Sequence, residues 1–124
     1  MLIKKINESP KIEDPNHKWN SIRMLLKGDG MGFSFHITTI YKNSEIKMHY
    51  QNHLESVYCI SGKGKILDIQ ENKTYEIEPG VLYALNKHDE HILYCDVEMQ
   101  LACVFNPPVK GNEVHNKEGA YELE

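Results

Sequence analysis

The densest cluster of side chains that could bind a metal ion or transfer a proton lies in residues 49–55. Within this short run the sequence places His49, His53 and Glu55, and an apolar segment, 56–60, follows directly. Imidazole nitrogens and carboxylate oxygens are ligands that both iron and zinc accept. The cluster therefore predicts a polar site at the start of a strand.

A second segment carries complementary ligand types. A Pro-Gly turn at 79–80 precedes an apolar segment that contains Tyr83, and His91 follows a polar loop. If residues 86–88 form a hairpin loop, Tyr83 and His91 lie opposite each other, with Cβ atoms about 4.5–5.5 Å apart. Together with Glu55 they would form a three-point metal site, and a nearby cation would help the phenol to ionise. Each of the three could equally be a structural residue of the core.

The segments that contain these residues have the pattern of β-strands. Residues 33–41 alternate, with Phe33, Phe35 and Ile37 on one face and His36 and Thr38 on the other, and turn residues separate the short apolar segments along the chain. This pattern predicts an all-β protein, a single small β-barrel, with at most a short helix near residues 18–23. The predicted strands are 22–26, 33–41, 45–49, 56–60, 65–69, 74–77, 81–85, 91–95 and 99–105.

Length and composition limit the possible functions. The chain has 124 residues, with 14 basic and 18 acidic side chains and a formal net charge of -4. Its length predicts one domain over 1–124, with a barrel core at about 19–108, a C-terminal tail or lid at 109–124 and flexible terminal segments. The charge argues against a protein that binds nucleic acid or an anionic membrane.

The cysteines and the N-terminus predict a compartment. Cys59, Cys95 and Cys103 each lie in an apolar segment without CxxC spacing, so we expect buried reduced thiols. Residues 1–8 contain no apolar stretch of signal-peptide length, and no window is apolar enough to span a membrane. These features predict a cytoplasmic protein.

Longer motifs make the chain resemble a known family. The segments 49–62 and 78–83 have the layout of the two metal motifs of cupin barrels, although Lys47 stands where cupins usually have a histidine. The motifs GMGFSFHITTIY at 30–41, HYQNHLESVYCI at 49–60 and VFNPP at 104–108 are similar to those of ectoine synthases. This resemblance extends from about Trp19 to Tyr121.

The resemblance implies a homodimeric cupin lyase that binds Fe²⁺ through Glu55, Tyr83 and His91, with zinc as the alternative metal. The implied reaction is ring closure of N4-acetyl-L-2,4-diaminobutyrate to ectoine with loss of water. Tyr50, Glu113 and His115 are the expected acid–base groups, and Lys47 is expected beside the site. The residues expected to contact substrate are Trp19, Arg23, Thr38, Tyr50 and Phe105.

Three other functions are compatible with these residues. A cupin could hold a small solute without turnover, in which case the three ligand-type residues need not converge. A related enzyme could cyclise another N-acyl diamine or hydrolyse the ring. An iron-dependent oxygenase is the third, although the ligand set would contain a single histidine.

Overall fold

The computed structural model describes residues 1–122 and confirms the all-β prediction. Within that range every regular element is a strand or a short 3-10 turn (Ile6–Glu8 and Lys27–Asp29). The strands are β1 (Lys11–Glu13), β2 (Trp19–Leu25), β3 (Ser34–Ile40), β4 (Glu45–Met48), β5 (Leu54–Asp68), β6 (Lys73–Ile77), β7 (Leu82–Leu85) and β8 (His91–Asn106). All pair antiparallel.

Two long strands divide the barrel into two sheets. β5 and β8 pair along nearly their whole length, and each continues from one sheet into the other. The large sheet has the order β1-β2-β3-β8-β5-β7, and the small sheet has the order β4-β8-β5-β6. Register shifts between Cys59 and Gly64 mark the bend. Gly62 is required there because its φ is +89° and a Cβ atom would lie 2.1 Å from the Glu98 carbonyl oxygen.

The core lies between the two sheets. Alternation along each strand directs one set of side chains inward, as in β4, where Ile46 and Met48 are buried and Glu45 and Lys47 are exposed. Side chains from both sheets form one buried apolar cluster and line the same cavity. The inner faces of the two sheets therefore face each other.

Several sequence predictions of local structure were wrong. The suggested helix at 18–23 is part of β2, because its inward positions are the polar Ser21 and Arg23 and this hid the period of two. The predicted strands 56–60 and 65–69 are one strand, as are 91–95 and 99–105, and β1 was missed.

The predicted hairpin between Tyr83 and His91 does not form. β7 pairs instead with β5, which places Tyr83 opposite Val57. The start of β8 pairs with β4 and with the far half of β5, which places His91 opposite Met48 and Asp68. The two residues reach the interior from different sheets.

The C-terminal segment, residues 107–122, packs against the barrel. The predicted tail or lid, 109–124, stays a prediction, and its last two residues lie outside the described range. Lys27 donates a backbone hydrogen bond to the Val109 carbonyl (2.8 Å), and His49 donates one to the Gly119 carbonyl (3.0 Å). Val109 and Tyr121 are buried. The segment therefore contributes side chains to the interior.

Other expectations concern the cysteines and membrane segments. Cys59, Cys95 and Cys103 are buried free thiols, as predicted. Across residues 1–122, no helix has the length and apolar character needed to cross a membrane.

Candidate active site

A small cavity between the two sheets contains most of the predicted site residues. Its free volume is ≈ 30 Å³, enough for about two water molecules. The predicted residues that line it are Trp19, Thr38, Tyr50, Glu55, Tyr83, Phe105 and His115. Arg23, His91 and Glu113, the other predicted site residues, lie outside this lining.

Glu55 is a buried carboxylate near the start of β5. It lies opposite Leu85 on one side and Phe105 on the other, on the inner face of the large sheet. Burial raises the pKa of Glu55 to about 8, and a hydrogen bond with the Cys103 thiol opposes this only in part. A carboxyl group in this position favours either a proton or a bound cation.

Tyr83 lies on the same inner face, two residues along β7 from the position opposite Glu55. Burial, with a smaller contribution from the Glu55 carboxylate, holds the pKa of its phenol well above the usual value. The phenol is therefore neutral here, and ionisation requires a nearby positive charge.

His91 supplies the imidazole from the small sheet. The side chain is 1% exposed, and its Nδ1 lies 2.9 Å from the Asp89 carbonyl oxygen. A carbonyl can only accept, so Nδ1 carries the proton and Nε2 keeps a free lone pair. Burial lowers the pKa of His91, which keeps the ring neutral. Within residues 1–122, Nε2 has no hydrogen-bond partner.

These features fit a metal centre of the predicted composition. Glu55 and Tyr83 line the cavity from the large sheet, and His91, buried at the start of β8, has an imidazole nitrogen without a partner in the described residues. The described chain contains no group of three His, Cys, Asp or Glu side chains arranged to bind a metal. A centre built on Glu55, Tyr83 and His91 stays a prediction, and it includes the phenol as a ligand.

Arg23 is a fully buried cation beside the cavity. Its Nη1 lies 3.6 Å from a Glu113 carboxylate oxygen, its Nη2 donates to the Tyr121 hydroxyl at 3.4 Å, and its Nε donates to Ser21 at 3.4 Å. The Tyr121 ring lies 5.4 Å from the guanidinium carbon. All these contacts are long, and Nη1 makes no hydrogen bond to any described residue. Because its present contacts are long and Nη1 is free to donate, the planar guanidinium can bind a carboxylate.

Tyr50 and His115 form the closest polar contact at the cavity. The Tyr50 hydroxyl lies 2.6 Å from His115 Nε2. Burial lowers the pKa of His115 to about 4 and raises that of Tyr50 well above its usual value, so both groups are neutral at pH 7. His115 also stacks on Tyr121, with ring centroids 5.0 Å apart. A proton moved from one partner to the other would leave a phenolate and an imidazolium, so the pair can relay a proton only together with a third group that exchanges a proton with it.

Glu113 faces Arg23 and the backbone of its own segment. Its carboxylate accepts hydrogen bonds from the amides of Lys110 (2.7 Å) and Gly111 (2.8 Å). Burial raises its pKa, but these bonds and the Arg23 guanidinium outweigh burial and lower it overall. Glu113 therefore stays ionised and fixes the turn beside Arg23.

Among the lining residues that sequence reasoning did not predict, Ser21, His36 and Tyr121 carry a hydroxyl group or an imidazole ring. His36 is 1% exposed, with its ring nitrogens 3.4 Å from the Ser21 hydroxyl and 3.1 Å from the Ser34 hydroxyl. The signal was present, because alternation places His36 on the same face of β3 as Thr38. Tyr121 carried no such signal, since it follows no periodic element.

Lys47 lies outside the cavity. Its side chain is on the exposed face of β4, and its Nζ lies 3.8 Å from a Glu90 carboxylate oxygen. The two residues that flank it in β4, Ile46 and Met48, are the ones that line the cavity.

Known proteins resemble this chain over its whole length. The family model described as ectoine synthase matches residues 1–124. The L-ectoine synthase of Teredinibacter turnerae is 58% identical, over 99% of this chain and 96% of that protein. The L-ectoine synthase of Marinomonas sp. is also 58% identical, over 91% of this chain and 88% of that protein.

Solved structures agree with these relatives. The crystal structure of ectoine synthase from P. lautus superposes with a TM-score of 0.87 at 43% identity, covering 99% of this chain and 91% of that one. An RmlC-like cupin from Shewanella frigidimarina, 13% identical with a TM-score of 0.68 over 86% of this chain and 91% of that one, shows the cupin fold alone. The barrel is therefore a cupin, and the chain belongs to the ectoine synthase family.

Proposed function

We propose that the protein closes the ring of N4-acetyl-L-2,4-diaminobutyrate to form ectoine, a hydro-lyase reaction run in the direction of water loss. The observation that carries this proposal is the fully buried Arg23 beside a cavity that contains the Tyr50–His115 pair. The Arg23 Nη1 has no hydrogen-bond acceptor in the described chain, so this buried guanidinium can donate to a substrate carboxylate.

The reaction joins two parts of one molecule. The α-amine nitrogen forms a bond to the acetamide carbonyl carbon, the carbon–oxygen bond breaks, and the oxygen leaves as water with the two amine protons. A six-membered cyclic amidine remains. Holding the amine against the carbonyl in a dry cavity favours this intramolecular step, because orientation replaces a chance encounter and bulk water is excluded.

Each side chain at the cavity has a role in substrate binding that follows from its position. Arg23 would hold the carboxylate, while Trp19 and Phe105 would enclose the carbon chain. Thr38, whose hydroxyl donates to Ser21 at 3.5 Å, would fix the polar wall of the cavity. The free volume of the cavity is ≈ 30 Å³, and His115 and Tyr121 of the C-terminal segment contribute to its lining, so we propose that this segment shifts when the substrate binds.

Proton transfer would run through Tyr50 and His115. A neutral imidazole in hydrogen-bond contact with a neutral phenol can accept a proton from the attacking nitrogen and deliver one to the departing oxygen. Glu113, which was predicted with them, touches Arg23 instead, so we assign it a positioning role. Its carboxylate would orient the guanidinium toward the substrate.

Glu55, Tyr83 and His91 would hold a divalent cation, Fe²⁺ in our proposal and Zn²⁺ as the alternative. Such a cation, when bound, supplies Lewis acidity toward a carbonyl oxygen. The high pKa of Glu55 and the free Nε2 of His91, which no described residue satisfies, support this assignment.

We further propose that the protein is a homodimer. Exposed apolar side chains cover the outer faces of β5 and β7, with Tyr58 directly opposite Leu82 and with Leu54 and Ile60 on the same strand as Tyr58. A second copy of the chain is the proposed occupant, because such a patch on a protein of this size favours self-association. Sedimentation equilibrium should show a dimer, and Tyr58→Lys with Leu82→Lys should give a folded monomer.

The activity is tested by incubating iron-loaded protein with N4-acetyl-L-2,4-diaminobutyrate and following ring formation by NMR. We expect turnover that Glu55→Gln abolishes while the far-ultraviolet spectrum is unchanged. An N-acyl substrate with a longer chain serves as the specificity control. Absence of product, with Glu55→Gln indistinguishable from the unaltered protein, would remove the enzymatic proposal.

A further inference from the structure

The cavity between the sheets has two chemically different sides. On the side of the large sheet, Ser21 and Thr38 supply hydroxyl groups, and Ser21 accepts a hydrogen bond from the buried Arg23. On the side of the small sheet the lining is apolar and consists of Ile46, Met48 and Leu93. The proposed substrate has the same polarity, with a carboxylate at one end and an acyl methyl group at the other. Binding of the carboxylate at Arg23 therefore leaves the small sheet for the acyl group.

Met48 lies between the two groups that the proposed reaction uses. It is directly opposite His91 in the register of β4 and β8, and both side chains are buried. Opposite residues share a face, with Cβ atoms about 4.5–5.5 Å apart. The Met48 sulfur also lies 3.3 Å from the Tyr50 hydroxyl. Met48 is thus next to the imidazole of the proposed metal centre and to the phenol of the proposed acid–base pair.

The acyl chain is attached to the reacting carbon itself. The amide carbon bonds to the carbonyl oxygen, to the amide nitrogen and to the first carbon of the acyl chain. With its oxygen toward His91 and the attacking amine toward Tyr50, this carbon holds the acyl chain beside the same two residues. Met48 is the apolar side chain next to both of them. A longer acyl chain would therefore extend against Met48.

The apolar side of the cavity has no space to spare. All four residues of β4 pair with β8, which fixes the backbone that carries Met48. The neighbouring inward pair, Ile46 and Leu93, is also buried. The free volume of the whole cavity is ≈ 30 Å³. An extra methylene in such a packed interior has to displace a side chain, which is costly.

We propose that Met48 limits the length of the acyl chain, so that the protein accepts an N4-acetyl group and rejects propionyl and longer groups. This inference rests on the proposed function and adds the acyl specificity of that site. Met48 acts through its bulk as a specificity-determining residue. It neither transfers a proton nor binds the metal.

Cyclisation of an acyl series by metal-loaded protein tests the proposal. The substrates are N4-acetyl-, N4-propionyl- and N4-butyryl-L-2,4-diaminobutyrate, and NMR follows the corresponding cyclic amidines. Each added methylene should lower kcat/KM of the unaltered protein by about 10-fold or more. In Met48→Ala we expect the ratio of kcat/KM for propionyl over acetyl to rise by about 10-fold or more. An unchanged ratio would overturn the proposal.

Two further variants at the same position separate bulk from folding and from the sulfur contact. Met48→Val opens less space and places a β-branched residue in the strand, so it provides a test if the alanine variant is unstable. Met48→Leu keeps the volume and removes the sulfur from the Tyr50 hydroxyl. We expect the valine variant to relax the preference and the leucine variant to keep it. Relaxation by leucine equal to that by alanine would contradict a role for bulk.

Matched controls remove apolar side chains elsewhere. Ile66 is buried and lies opposite Leu93 in the small sheet, but it does not line the cavity. Ile66→Ala should lower stability and leave the acyl preference unchanged, whereas equal relaxation would indicate general loosening and overturn the proposal. Val57 lines the cavity from the large sheet. Relaxation in Val57→Ala alone would place the acyl chain on that sheet and would also overturn it.

Binding provides a readout that does not depend on turnover. Trp19 is the only tryptophan of the sequence and lines the cavity, so its fluorescence reports occupancy. The probes are 4-acetamidobutyrate, 4-propionamidobutyrate and 4-butyramidobutyrate, which keep the carboxylate and the acyl amide but lack the amine that closes the ring. We expect Met48→Ala to lower the ratio of Kd for the propionamide over the acetamide by about 10-fold. The same ratio in both proteins would contradict the proposal.

Failure of this inference and failure of the proposed function give different results. If the unaltered, metal-loaded protein does not cyclise the acetyl substrate, the proposed function is wrong, and the fluorescence titrations decide the role of Met48. If it cyclises the acetyl substrate but the alanine and valine variants keep its acyl preference, the function stands and the role of Met48 is wrong.

Discussion

The two sheets obey the same alternation but present different chemistry to the interior. The inner face of the large sheet carries buried polar groups, among them Ser21, Arg23, His36 and Glu55. The inner face of the small sheet is mostly apolar, with Ile46, Met48, Ile66, Ile77 and Leu93, and the exceptions are His91 and the half-buried Asp68 opposite it, at the end of the sheet. Buried polar groups without full partners destabilise a fold, so their concentration on one sheet indicates function.

We expect the largest effect from a substitution on the inner face of the small sheet, and we expect it to lower the free energy of unfolding. Ile77→Ala removes a side chain that is 1% exposed, and we expect it to lower the free energy of unfolding by about 2–5 kcal/mol. Urea denaturation measures this, and kcat/KM of metal-preloaded protein should change much less than stability does. A large loss of kcat/KM with unchanged stability would break the division between the sheets.

The sequence predicted the polar sheet better than it predicted the path of the chain. Alternation in 33–41 and the ligand types at Glu55, Tyr83 and His91 are local signals, and each lies on an inward face. The sequence predicted that β7 pairs with the start of β8, whereas it pairs with β5. This was not predictable, because the rules for hairpins consider only segments that are neighbours in sequence. Tyr121 was missed because its burial depends on a segment without regular structure.

Tyr83→Phe is expected to have the next largest effect. It removes one hydroxyl and keeps the ring in the lining of the cavity, so the fold should persist. If the phenol is a ligand, metal affinity should fall by at least about 100-fold. Even the loss of a residue that only hydrogen-bonds to a metal ligand lowers affinity or activity by about 10–100-fold. Elemental analysis after anaerobic dialysis measures this. Phenylalanine protein with full metal content would show that Tyr83 is only a core aromatic.

Arg23→Lys keeps the charge on the polar sheet and removes the planar donor. Because hydrogen bonds to charged groups are worth about 1.5–3 kcal/mol, KM for a carboxylate substrate should rise by roughly 10–100-fold. Steady-state kinetics tests this, with the substrate's carboxamide analogue as the control. For the carboxamide analogue, KM should differ little between the unaltered protein and the Arg23→Lys variant. An equal loss for both compounds would mean that Arg23 serves stability and does not bind the carboxylate.

The smallest effect concerns His115, which the C-terminal segment places against the polar sheet. Its folded pKa is about 4, against 6.5 for the free side chain, because burial disfavours its charged form. Arg23 and His91 lower this pKa further, while Asp14 opposes them. The unfolded chain therefore binds more protons between these values. The stabilising contribution is complete above pH 6.5 and is lost as pH falls toward 4.

Each proton bound on unfolding changes stability by about 1.4 kcal/mol per pH unit. His115→Gln should reduce the slope of unfolding free energy against pH by up to this amount between pH 4.5 and 6. His36 and His91, whose pKa values burial also lowers, remain in the variant and add slope of the same sign, whereas Glu55, whose pKa burial raises to about 8, contributes slope of the opposite sign. An unchanged slope would show that His115 is exposed to solvent for much of the time, and hence that the C-terminal segment opens readily even without substrate.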